Sequence, residues 1–190
     1  MAPFDQLRVW RNAAVARQLN WYREVAVNSK PAKFLIASTL PMAFLPEAEK
    51  DEGALWAELD RLTPLFVEKH LDVIRERADI GPTPFGPSLL DLCRELACRM
   101  LGNCRFCTWN CGVDRTAGTR FGTCKLASET RVSTYFHHMG EELVYRGDLG
   151  SGTIFFTSCN MRCAFCQNGD ISTDKDNGTP VEARALAAMA

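Results

Sequence analysis

Residues 152–168 read GTIFFTSCNMRCAFCQN, a short apolar run followed at once by three cysteines, Cys159, Cys163 and Cys166. Gly152 to Thr157 has the β-branched and aromatic composition of a strand buried on both faces. The loop after it then lies at the carboxyl end of a buried strand, where barrel and doubly wound α/β enzymes keep their active sites. Cys-x3-Cys-x2-Cys on one tight loop lets three thiolates reach three corners of a single iron–sulfur cubane. No fourth cysteine follows before Ala190. Structural metal sites and electron-transfer clusters normally take four protein ligands, whereas a catalytic metal keeps one position open for substrate. An electron carrier gains nothing from an open corner. Three thiolates therefore point to chemistry at the cluster.

Upstream of the loop, Cys104, Cys107, Cys111 and Cys124 are spaced x2, x3 and x12. A turn can gather the first three, and a loop with Gly112, Gly118 and Gly122 can return the fourth. Four thiolates make a closed site, suited to structural zinc or to an auxiliary iron–sulfur cluster. The spacing is neither that of a zinc ribbon nor that of a ferredoxin run, and it does not choose the metal. Cys93 and Cys98 read more simply as small apolar residues on the buried side of a helix. All nine cysteines lie at or after residue 93. An odd count in close local groups, with no signal peptide, is unlike a secreted disulfide scaffold and means metal first, redox second, in a reducing compartment.

The rest of the chain is ordinary for a globular protein: 190 residues, 46% hydrophobic, 24% charged, net charge −1. A charge so near zero argues against nucleic acid or an anionic membrane as partner. The longest apolar stretch, Phe34 to Leu45, contains Pro41 and falls short of the about 20 residues that span a bilayer. Arg8, Arg11, Arg17 and Arg23 faintly resemble a transit peptide, but Asp5 and Glu24 interrupt them, and a cytoplasmic location is expected.

Residues 1–101 read as helical. Leu7, Trp10, Ala14, Trp21 and Val25 form one stripe. Glu47 to Leu62 forms a second helix, and Thr63-Pro64 opens a third over Leu65 to Ala78. The stiff connector 81–87 marks the boundary of a helical N-terminal region, 1–87. Ser88 with Asp91 forms a capping box for the next helix, which Gly102-Asn103 ends. Residues 88–147 are thus a helix plus a cysteine-rich segment, with strands expected over Arg131 to Phe136 and Glu142 to Arg146. The final segment, 148–190, carries the cluster loop, and Thr179-Pro180 is expected to start a helix over Val181 to Met189. His70 reads as a packed or surface histidine. Of His137 and His138, adjacent on a strand, at most one can face the cluster site. Arg146, Asp148 and Arg162 read as surface charges.

The run from Gly152 through Cys159-Asn160-Met-Arg-Cys163-Ala-Phe165-Cys166-Gln-Asn168 resembles the first strand and cluster loop of radical S-adenosylmethionine enzymes. More narrowly, it is similar to the pyruvate formate-lyase activating enzyme-like group. Cys104 to Cys107, Asn110-Cys111-Gly-Val-Asp-Arg115, Gly122-Thr-Cys124 and His137-His138 with Glu141-Glu142 fit that group as well. The likeness covers about residues 88 to 185.

The resemblance implies that Cys159, Cys163 and Cys166 hold a [4Fe–4S] cluster whose open iron is chelated by S-adenosylmethionine. It also implies that Phe165 packs near the adenine. The resemblance further implies that a low-potential electron from a reductant such as flavodoxin or ferredoxin cleaves the sulfonium, and that the 5′-deoxyadenosyl radical takes hydrogen from a substrate, which for an activase is a partner protein. The implied fold is α/β: an N-terminal helical region and a cysteine-rich β segment lead into the first β/α unit of a partial, incomplete radical S-adenosylmethionine barrel of the TIM type. Only 24 residues follow Cys166, and a complete barrel takes about 250 residues. Truncation is therefore expected, with cluster binding but not turnover. Two other classes stay open: an iron–sulfur electron-transfer protein and a zinc-stabilised binding protein, with Cys93, Cys98 or an upstream residue as the remote fourth ligand.

Overall fold

The computed structural model describes residues 8–77, 79–146 and 150–190. Leu7, Ala78 and Asp148, and the expected boundary between 147 and 148, lie outside them. The chain forms two compact units, one over Ala14–Arg99 and the other over Met100–Ala190 with the segment before Ala14.

The first unit is helical, as its apolar periodicity predicts. It comprises α1 (Ala13–Ala26), α2 (Lys33–Ala37), α3 (Glu52–Ile74) and most of α4 (Leu89–Gly102). Asp51 caps α3 by accepting a hydrogen bond from the Gly53 amide at 2.9 Å. The two helices expected around Thr63-Pro64 are one continuous helix, with Pro64 inside it. Proline removes one amide from the ladder, but Leu55 and Leu62 carry a single buried stripe towards it, and the Thr63 hydroxyl donates to the Leu59 carbonyl at 2.7 Å. Packing of that stripe outweighs the local break.

The Ser88 and Asp91 box forms as expected. The Asp91 carboxylate accepts from the Ser88 amide at 2.9 Å and from its hydroxyl at 2.7 Å. Met42, Leu55, Leu62, Leu89, Leu92 and Leu96 make the core, with Leu59 and Phe66 packed against it. The chain at 40–42 is laced to 87–89: the Met42 amide donates to Pro87 O at 3.0 Å and the Leu89 amide to Leu40 O at 2.9 Å. This lacing and the three α4 leucines carry the unit past the 81–87 connector to Arg99. Cys93 and Cys98, expected on the buried side of α4, are exposed; Leu89, Leu92 and Leu96 take that side instead.

The second unit contains β1 (Thr130–His138), α5 (Leu143–Arg146), β2 (Ser151–Phe156), α6 (Gly169–Thr173), β3 (Thr179–Val181) and α7 (Ala183–Met189). Its sheet has the order β2-β1-β3, with both outer strands antiparallel to β1. Phe136 and Phe155 stack across the β1–β2 pair with centroids 5.8 Å apart. Three expectations change. Residues 143–146 are a short helix and not a strand. β2 is an outer strand whose Phe156 is 47% exposed, so it is not buried on both faces. Residues 179–181 are a strand, and the last helix starts at Ala183. Pro180 suits an outer strand because it has no amide to offer a further neighbour.

Gly178 lets β3 close on β1. A Cβ there would stand 2.5 Å from Thr157 Cγ2 and 2.7 Å from Val132 O. Arg131 ties the approach down, with Nε donating to Lys175 O at 2.7 Å and Nη2 to Gly178 O at 2.8 Å. The described residues mix helices with one small three-stranded sheet, and the strand pairing among them is antiparallel throughout, unlike the parallel β/α units of the expected barrel. No helix among them is long and apolar enough to cross a membrane.

Candidate metal centre

The three-cysteine loop leaves β2 at Thr157, which is 1% exposed. The Thr157 amide donates to Arg131 O at 3.0 Å, and the Ser158 amide to Ile171 O of α6 at 2.8 Å. The loop's root is thus fixed to β1 and to α6. Ser158 (φ 66°) and Arg162 (φ 55°) take the left-handed conformation, which L-residues adopt only where the surroundings demand it. These two reversals fold the cysteine-bearing residues into a compact turn. The Met161 amide donates to Cys159 Sγ at 3.4 Å, and the Cys166 amide to Cys163 O at 3.3 Å. Cys163 is exposed, and Cys159 and Cys166 are half-buried. Phe165 is 89% exposed, a large apolar surface beside the thiols.

The upstream cysteines occupy a segment without helix or strand, residues 103–129. Backbone bonds shape its start: the Cys104 amide donates to Val113 O, the Gly112 amide to Cys104 O and the Asn110 amide to Cys107 O, each at 3.0 Å. Cys104 is 2% exposed. Cys111 Sγ accepts from the Thr123 amide at 3.4 Å, which, ahead of the Thr123 hydroxyl, holds its thiol below the ordinary range. Arg115 Nη2 donates to Cys124 Sγ at 3.0 Å. Burial pulls the Arg115 pKa down, but the hydrogen bonds it donates to Cys104 and Cys124, with the attraction of those sulfurs, outweigh it and hold it above the ordinary value.

The two cysteine-bearing segments touch. Trp109 Nε1, from between Cys107 and Cys111, donates to the carbonyl of Asn160, next to Cys159, at 2.7 Å. Arg162 donates to the carbonyl of Thr123, next to Cys124. Lys125 Nζ reaches Thr173 O, at the end of α6, at 3.2 Å. Sequence spacing alone does not reveal these latches, because each joins residues about 40 to 50 positions apart and none carries a motif. The one signal was an indole placed between two cysteines of a polar loop.

The other candidates sit apart from this chemistry. His138 faces Glu141 at 3.5 Å and lies edge-on to Phe136, centroids 5.5 Å apart. His70 stacks on Phe66 in the helical unit, centroids 5.8 Å apart. Burial, then Lys33, lowers its pKa. Arg146, expected at the surface, is buried and donates to Met139 O at 3.0 Å.

Donor chemistry fits a thiophilic metal at both groups of cysteines. Among the described residues, no three cysteine, histidine or acidic side chains stand ready gathered as ligands, so the thiols would have to swing together on binding, as ligands commonly do. Packing adds a second reason. Of the described apolar residues in the second unit, only Cys104 and Val132 are buried below a tenth of their surface, and every cysteine is free. Units with so little apolar core rely on cross-links or metals.

Among known proteins, the uncharacterized protein MJ0674 of Methanocaldococcus jannaschii is 37% identical over 156 residues, which cover 82% of this chain. The match spans 42% of that relative's length. No family profile matches the chain, and no solved structure does.

Proposed function

We propose that this chain is the cluster-bearing part of a radical S-adenosylmethionine enzyme of the activating-enzyme type. The observation that carries the reading is a loop with three thiols, fixed at its root and braced by Trp109, beside the bare ring of Phe165. Cys159, Cys163 and Cys166 would hold a [4Fe–4S] cluster with one iron free of protein. When bound, that cluster and S-adenosylmethionine supply a 5′-deoxyadenosyl radical at the cost of one electron from a flavodoxin- or ferredoxin-like reductant.

This chain's own residues do the positioning. The Met161 amide donates to Cys159 Sγ and orients that sulfur within the loop. Trp109 and Arg162 hold the loop against the upstream segment. Phe165 offers a face on which the adenine can stack. The upstream cysteines, in this reading, form a closed structural site, zinc or a second cluster, that stiffens the brace. The Methanocaldococcus relative extends well beyond the matched residues, room enough for the further strand–helix units of a barrel. A cytoplasmic location accords with nine unpaired thiols.

Anaerobic reconstitution with iron and sulfide tests the reading. EPR of the reduced protein should change when S-adenosylmethionine is added. A spectrum indifferent to it returns the chain to the electron carriers.

A further inference from the structure

Arg115 is 7% exposed, and a guanidinium does not shed its proton. A buried cation of this kind needs a negative counter-charge close by. No carboxylate among the described residues supplies one. The adjacent Asp114 spends its oxygen on the Thr116 amide and hydroxyl, at 2.8 and 2.5 Å, and on the Ala117 amide at 3.2 Å. Arg115 instead donates to Leu126 O and to Cys124 Sγ, and Nε has no partner. Cys111 completes the surroundings. A Cβ on Gly122 would lie 2.9 Å from Arg115 Nη2 and 3.0 Å from Cys111 Sγ, so the bare glycine leaves one shared space to both groups. Among the described residues the guanidinium is thus set beside sulfurs, with no carboxylate oxygen paired to it.

We propose that Arg115 is the resident counter-ion of a closed metal–thiolate centre built by Cys104, Cys107, Cys111 and Cys124. Four thiolates round a divalent cation carry a surplus of two negative charges, which one buried guanidinium halves. Its N–H groups hold the sulfur of Cys124 while that sulfur's remaining lone pairs ligate, the outer-shell role that fixes ligand geometry. Cys107 joins from the turn closed by Asn110. Arg115 is therefore a positioning residue for the metal. The proposal rests on the upstream cysteines as a metal site and is independent of what the 159–166 loop binds.

The test uses the full chain with Cys159, Cys163 and Cys166 changed to serine, loaded either with zinc or anaerobically with iron and sulfide. Elemental analysis should find metal on this protein, and release to a chromophoric chelator should be slow. Arg115→Met and Arg115→Gln should each release metal about tenfold to hundredfold faster, with Arg115→Lys in between because it keeps the charge. Equal release rates from Arg115→Met and the parent would overturn the proposal, as would a parent that binds neither zinc nor iron. Should the variants misfold, the parent itself decides: the Arg115 side-chain nitrogen resonances should shift and their protons exchange more slowly on metal loading. Unchanged resonances would sink it.

Discussion

Cys163 is the most exposed thiol of its loop. Cys163→Ala should abolish the EPR response to S-adenosylmethionine yet leave the metal bound at the upstream cysteines, as counted by elemental analysis. Loss of both together would join the two sites into one. At Asp91 the reasoning is electrostatic. The Ser88 hydroxyl, then the Ser88 amide, holds its carboxyl below the ordinary range. A carboxylate with a depressed folded pKa stabilises above its unfolded value, near 4, and that contribution fades as the pH falls through the folded value. Asp91→Asn should therefore cost about 1 kcal/mol at neutral pH, the usual worth of a helix cap. Urea denaturation should show the gap between the two proteins closing in acid; a gap that persists unchanged below both pKa values would contradict the assignment.

At the scale of elements, two substitutions separate local from tertiary control. Pro64 sits inside α3, where proline is about 3 kcal/mol worse than alanine in an exposed helix. Pro64→Ala should raise the urea midpoint of the helical unit, and a fall would mean that the ring itself packs. Gly178→Ala should do the reverse in the second unit. Its methyl would meet Val132 O and Thr157 Cγ2 within 2.7 Å, a crowding that costs about 1–3 kcal/mol. The readout is amide exchange in β3, which should quicken while β2 stays protected. The same contrast explains what was legible in the sequence. The capping box and the α4 leucines could be read because both are written in neighbouring residues. Pro64 misled because a continuous stripe of leucines overrode a local breaker. Residues 179–181 misled because β3 forms by pairing with Thr130, Arg131 and Val132, about 50 positions away. The loop's cysteines were plain from spacing, whereas the latches of Trp109 and Arg162 come from folding alone.

Across the whole molecule the two units differ in what holds them. Ala14–Arg99 has a contiguous leucine core, and each fully buried leucine contributes about 1.5–3 kcal/mol. Met100–Ala190 has almost none among its described residues and many thiols. Stripping metal with a chelator should therefore unfold the second unit and spare the first, seen as exchange protection lost over residues 104–181 and kept over α3 and α4. Simultaneous loss would refute the division of labour. The most direct measurement of the central claim is Mössbauer spectroscopy of protein reconstituted with iron-57, with the four upstream cysteines changed to serine. A cluster on Cys159, Cys163 and Cys166 should show one iron distinct from the other three, and that iron alone should respond to S-adenosylmethionine. Four irons alike, all thiolate-bound and unresponsive, would contradict it.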